Sequence, residues 1–283
     1  MRIEVRHLTR YTYTEPVFLD RQIVRLKPVS NANQRLVDFD IEVEPQPTGQ
    51  SALLDLDGNE AIALWFGDDQ TDALTIVTRS TVDTLRTNPF DYLWQGAHTL
   101  PISYSPALDA ALEPYRAGLI PDPVVKLARE VGTLVGDDAQ AFLTALASRI
   151  RAQLLRQERP EGAALQPEET IATGGGSCRD LTVLYMAAAR SQGFAMRFVS
   201  GYHAVPSGDD HELHAWAEAY IPGGGWRGFD PTTGLAVSDH HVVLATGARP
   251  EQAAPVTGAY RGRASSSLET SVEIKVLGTQ VLS

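Results

Sequence analysis

Thr173-Gly174-Gly175-Gly176-Ser177-Cys178-Arg179-Asp180 decides how this chain reads, because it holds the single cysteine of 283 residues. After it, Leu181, Leu184, Tyr185, Ala188 and Ala189 follow an i, i+3, i+4, i+7 pattern. That predicts an amphipathic helix opening at Cys178 and closed by Gly193. A thiol at a helix N-terminus is favoured as thiolate, since free backbone N–H groups and the helix dipole stabilise negative charge. Glycines adopt backbone angles closed to other residues and admit close approach, so Gly176 is a candidate floor for an acyl group. The Cys178 N–H is a candidate donor to an oxyanion. Alone, the same cysteine would equally fit a small buried residue on the helix's apolar stripe.

Two later segments change that balance. His211-Glu212-Leu213-His214-Ala215-Trp216-Ala217-Glu218-Ala219-Tyr220 alternates as a strand. Leu213, Ala215, Ala217 and Ala219 share one buried face, and His214, Trp216, Glu218 and Tyr220 the other. An imidazole, an indole and a carboxylate on one face suggest a cleft, with His214 as the base for Cys178. Trp216 would wall an acyl tunnel or simply pack. Asp230, 16 residues after His214, ends a strand at Asp230-Pro231-Thr232-Thr233-Gly234. It either orients the imidazole or only nucleates its own turn.

The remaining histidines point to no metal. His211 and His214 lie at i, i+3 on a strand and face opposite ways. His203, His240 and His241 read as surface or loop residues. Arg197 reads as a structural ion-pair partner, and Asp180 as a first-turn residue suited to the helix dipole. No metal site and no cofactor is expected.

Around this centre the chain divides in two. Residues 1–100 read as about six short strands, including a hairpin at Asp57-Gly58-Asn59, and predict a β-sandwich-like domain. Thr87 to Pro106 is a linker whose Phe90, Tyr92, Trp94 and Tyr104 should dock on a neighbour. Residues 101–283 read as helices near 123–135 and 138–154, the Cys178 helix, then an antiparallel meander, an α+β arrangement. Residues 248–267 read as surface loop and Ser271 to Val276 as a last strand.

Composition bounds the rest. Net charge is −11 and pI about 5.1, so a nucleic acid partner is excluded on charge. One cysteine rules out an intrachain disulfide and a cysteine-rich metal site. The chain has no signal-like apolar segment and no run long enough to span a membrane, so the cytoplasm is the expected compartment.

The Gly176-x-Cys178-Arg179-Asp180 helix start, His214-Ala215-Trp216 and Trp226…Phe229-Asp230-Pro231-Thr232 resemble the transglutaminase-like superfamily, as does Arg190 to Tyr202 between them. His7-x-Thr9-x-Tyr11-x-Tyr13-x-x-Pro16-Val17 and Arg25-Leu26-x-Pro28 resemble the β-domain that precedes the core in bacterial members. Leu181 departs from the family's usual aromatic. The resemblance implies a papain-like core with Cys178 as nucleophile, His214 as base and Asp230 as orienter. It implies acyl transfer on an amide or peptide bond through a thioester. The substrate would be a peptide, a protein or a small amide. Hydrolysis is preferred, with amine transfer or a non-catalytic peptide-binding scaffold as alternatives. A side chain that helps hold the oxyanion is also implied, for which Tyr202, Trp226 and Gln153 are candidates. No calcium loop of Asp-x-Asp type is present, so calcium dependence is not carried over.

Overall fold

The computed structural model describes residues 1–96, 98–159, 162–204 and 212–278. His211 and the turn expected at 206–210 lie outside the described residues. Five strands open the chain: β1 (Arg2–Val24), β2 (Gln34–Glu44), β3 (Gly49–Leu54), β4 (Glu60–Trp65) and β5 (Thr71–Thr84). The hairpin forms as expected between β3 and β4, with Gly58 at φ 80°. Three helices follow: α1 (Pro106–Arg116), α2 (Asp122–Leu134) and α3 (Ala139–Gln153). Next come β6 (Leu155–Arg156), α4 (Pro167–Thr173), β7 (Gly175–Gly176) and α5 (Cys178–Arg190). The chain continues with β8 (Met196–His203), β9 (Leu213–Ile221), β10 (Gly225–Asp230), β11 (Leu235–Ala236) and β12 (His241–Gly247). β13 (Val256–Arg261) and β14 (Ser266–Gly278) end the described chain.

The first sheet is organised by β1. Its first half lies between β5 and β14, and its second half between β4 and β13, all antiparallel. Ile3, Val5, His7 and Thr9 are buried on odd positions, whereas Gln22 and Val24 are buried on even ones. A register shift between Leu19 and Gln22 explains the change of parity, because one extra residue turns a strand's other face inward. The expected sandwich-like module is thus one bent sheet. It is completed by the C-terminal segment, contrary to the expectation that residues 248–267 are loop and that the last strand belongs with the helices. Local periodicity identifies a strand but not its partner.

The second sheet has the order β11-β10-β9-β8-β12 and is antiparallel throughout. One face packs on α3 and α5, with Phe142, Leu146, Ile150, Leu184, Tyr185, Ala217 and Phe229 in a common core. From its other face Tyr202, Val242 and Leu244 join Ile3, Val5, Leu74, Ile76 and Val82 of the first sheet. The two sheets therefore share a core. Tyr92, Trp94 and Tyr104 dock the linker on the helical core as expected, while Phe90 is exposed.

Candidate active site

Cys178 is the first residue of α5, and the turn before it is built from three glycines with separate jobs. Gly174 closes α4 in the left-handed conformation at φ 70°, where a side chain would be strained. Gly175 and Gly176 pair in parallel with Leu155 and Arg156. A β-carbon on Gly175 would strike the Leu155 carbonyl oxygen, and one on Gly176 would lie 2.6 Å from the Asp180 β-carbon. The glycines therefore seat the cysteine against β6 and Asp180. That packing role replaces the substrate floor expected at Gly176, which is buried.

Asp180 does more than suit a dipole. It is 0% exposed, and its Oδ2 accepts from the Ser177 N–H and Oγ, each at 2.8 Å. Its Oδ1 accepts from the Leu165 N–H at 2.7 Å and from Arg159 Nη2 at 2.6 Å. Ser177 and Asp180 form a reciprocal capping box, which fixes the helix start. Burial pushes the Asp180 carboxyl up, but these donors outweigh it and hold it below the usual range. The turn that carries the nucleophile is thereby tied to Arg159 and Leu165.

His214 and Asp230 meet Cys178 from two other strands. The Cys178 thiol is partly exposed, and the His214 imidazole is the neighbour that most lowers its pKa. His214 Nε2 lies 2.9 Å from Asp230 Oδ2, so Nδ1 is the nitrogen left for the sulfur. Asp230 is 0% exposed. Its Oδ1 accepts from the Thr232 N–H at 2.8 Å and the Thr233 N–H at 3.3 Å. The two readings of Asp230 are both true: one oxygen forms the turn, and the other faces the imidazole.

The electrostatics follow from this contact set. Burial pushes the Cys178 thiol up, but the His214 hydrogen bond and the charges of His214, Arg156 and Arg179 bring it below the ordinary thiol range. Burial pushes His214 down, but Asp230 and Cys178 raise it to about 9. Burial disfavours the Asp230 carboxylate, yet His214 and His241 hold its carboxyl well below the usual range. All three shifts favour a thiolate–imidazolium pair braced by a carboxylate.

Two further histidines stand beside the triad, which the sequence placed on the surface. His241 opens β12, is 8% exposed, and brings Nε2 to 3.3 Å from Asp230 Oδ2. His203, partly exposed at the end of β8, stacks on His241 with ring centroids 4.4 Å apart and lies 5.5 Å from His214. Burial and neighbouring imidazoles lower His203 to about 3; burial also lowers His241. His203 and His241 are register partners across β8 and β12. Only a known strand pairing could have revealed that from sequence.

The other candidates fall elsewhere. Trp216 is fully buried, with Val199 and Val243 beside it. Tyr202 is fully buried, and its hydroxyl lies 2.8 Å from His7 Nδ1. Trp226 packs edge-on against Tyr115 and Tyr220, with the Arg197 guanidinium over its ring. Arg197 pairs with Glu218, as expected of a structural residue. Gln153 closes α3. Beside the glycine turn stands Gln157, whose side-chain nitrogen would lie 3.1 Å from a β-carbon at Gly175. Its N–H donates to the Gly176 carbonyl. Local periodicity carries no signal for it.

Comparison with known proteins agrees with this layout. Residues 125–231 match the family described as the transglutaminase-like superfamily. Residues 3–83 match that described as the bacterial transglutaminase-like N-terminal region. An uncharacterized protein of Mycobacterium leprae is 25% identical over 279 residues, covering 96% of this chain and 98% of its own. An uncharacterized protein of Mycobacterium tuberculosis is 27% identical over 296 residues, covering 96% and 92%. A crystal structure from Cytophaga hutchinsonii, described as that of a candidate cysteine protease, superposes with a TM-score of 0.75 at 23% identity. It covers 99% of this chain and 92% of the other. Among the described residues no helix is long and apolar enough to cross a membrane.

Proposed function

The chain belongs to the transglutaminase-like superfamily, and from that premise we propose that it is a cysteine amidohydrolase acting on a peptide or side-chain amide. The observation that carries the proposal is the simultaneous engagement of His214 by Cys178 and Asp230, three groups drawn from separate elements. Cys178 Sγ attacks the amide carbonyl carbon, and the charge that develops on its oxygen is met by the Cys178 N–H at the helix start. His214 Nδ1 then gives its proton to the leaving amine, and a thioester remains on Cys178. Water, deprotonated by His214, attacks the thioester and releases the acid. Asp230 holds the imidazole in the required orientation and stabilises its charge. Hydrolysis rather than amine transfer is our reading, and the Cytophaga hutchinsonii protein of the same fold carries the description of a candidate cysteine protease. The cytoplasmic compartment belongs to the same proposal, since a lone reduced thiol persists there.

Alkylation by iodoacetamide tests the nucleophile directly, because the chain has one thiol. Rapid labelling well below pH 8 is expected. A slow rate that His214→Ala leaves unchanged would sink the proposal. Trapping the acyl group on Cys178 from a cell extract, with mass spectrometry, identifies the substrate. An amine-linked product in place of a free acid would reassign the enzyme as a transferase.

A further inference from the structure

A Cys-His-Asp triad needs one imidazole, and this site has three around one carboxylate. One donor atom each from His203, His214, Asp230 and His241 lie within 4.8 Å of one another. Asp230 Oδ2 is shared by His214 at 2.9 Å and His241 at 3.3 Å. His241 Nδ1 is buried and has no hydrogen-bond partner among the described residues. His203 contacts the group through its ring and is the partly exposed member, at the solvent end of the cluster.

We propose that His203, His214, Asp230 and His241 form a Zn2+ site whose occupation reversibly silences Cys178. Three imidazoles and a carboxylate suit zinc, which prefers nitrogen and oxygen donors in a four-coordinate shell. Zinc–nitrogen bonds of about 2.0–2.1 Å put tetrahedral donors about 3.4 Å apart. The widest pair in the cluster must therefore close by about 1.4 Å.

The effect on the cysteine follows from which nitrogen the metal takes. His214 Nε2 is the atom that faces Asp230, and so it is the atom that faces the cluster. Zinc displaces the Nε2 proton to solvent, and the ring's remaining proton is fixed on Nδ1. Nδ1 faces Cys178. Contraction of the cluster draws the ring toward the metal and off the sulfur, so the thiol loses the partner that lowers it, and a ring held through Nε2 cannot pass its Nδ1 proton to a leaving amine and take another from water. Asp230 Oδ2 is engaged by the metal as well. The same four side chains thus support either an active triad or a filled metal site, but not both.

This inference rests on the triad reading for its consequence, not for the binding itself, and the two are separable by experiment. Isothermal titration of Zn2+ into the Cys178→Ser protein removes the thiol as a competing ligand. One Zn2+ per chain is expected, weakened about tenfold or more by His203→Ala. The milder His203→Gln change should weaken it in the same direction. In the wild-type protein Zn2+ should slow alkylation of Cys178 and EDTA should restore it. His203→Ala should retain the metal-free alkylation rate and lose the Zn2+ protection. No binding to Cys178→Ser, or binding and protection that His203→Ala and His203→Gln leave intact, overturns the site. Zinc binding without any amide hydrolysis would leave the site standing and remove the proposed reaction instead.

Discussion

Two buried histidines, one in each sheet, are shifted in opposite directions. His7 on β1 is 1% exposed and His214 on β9 is 6% exposed. His7 has a tyrosine hydroxyl and Thr9 for neighbours, and burial lowers it to about 4. His214 suffers the same burial but has Asp230 and Cys178, and it rises to about 9. Depth alone therefore says nothing about whether a histidine is charged; the partner decides. The first sheet uses its imidazole as a neutral bridge to Tyr202 of the second. The second sheet uses its own as a cation.

The comparison can be broken most severely at Asp230. Asp230→Asn leaves His214 with burial and only Cys178 to oppose it, close to the condition of His7. We expect kcat/KM to fall about a thousand- to ten-thousand-fold, as loss of an orienting aspartate does elsewhere. The alkylation rate of Cys178 should then rise only in the ordinary thiol range, which a pH series of labelling would show. Asp180→Ala sharpens the contrast, because Asp180 holds the cysteine turn and does not touch the imidazole. Its loss orphans the Ser177 and Leu165 N–H groups and should cost about 3 kcal/mol in urea unfolding. The midpoint of the alkylation pH series should stay within about half a unit of the wild-type value.

A third effect separates the two histidines by sign. His7 titrates near 6.5 when unfolded and near 4 when folded, so the unfolded chain binds more protons between those values. Stability should be lost as pH falls from 6.5 to 4, by about 3 kcal/mol from this group. His214 is raised, so its contribution is present below 6.5 and lost as pH rises through 9. His7→Gln should flatten the acid limb of a stability-versus-pH curve and leave the alkaline limb. At neutral pH the same change should cost about 1 kcal/mol, the worth of one hydrogen bond. It should leave kcat/KM within about twofold, a ΔΔG‡ below about 0.5 kcal/mol.

What the sequence disclosed, and what it withheld, follows the reach of each interaction. The helix at Cys178, the alternating strand of His214 and the turn of Asp230 are local patterns, and all three formed where expected. Helices α1 and α4 begin at Pro106 and Pro167, in segments whose prolines made them read as linker and loop. The two readings of Trp216 stayed open because alternation shows which residues share a face, not whether that face meets solvent or another sheet. His203 and His241 come together only through the register of β8 with β12. Asp180 gained its importance from Leu165 and Arg159, 15 and 21 residues upstream.

Ile3 pairs with Val276, and the ladder continues to Tyr13 with Ser266. In order of synthesis, the whole helical unit is made between two halves of one sheet. A growing chain therefore carries β1 with one edge open over Ile3 to Tyr13 until its last strands emerge, and open edges invite pairing with other chains. Closing a ladder across so long a stretch is slow. The second sheet, whose face must be covered by the first, waits on the same event. β13 and β14 thus set the time at which the first sheet becomes sealed.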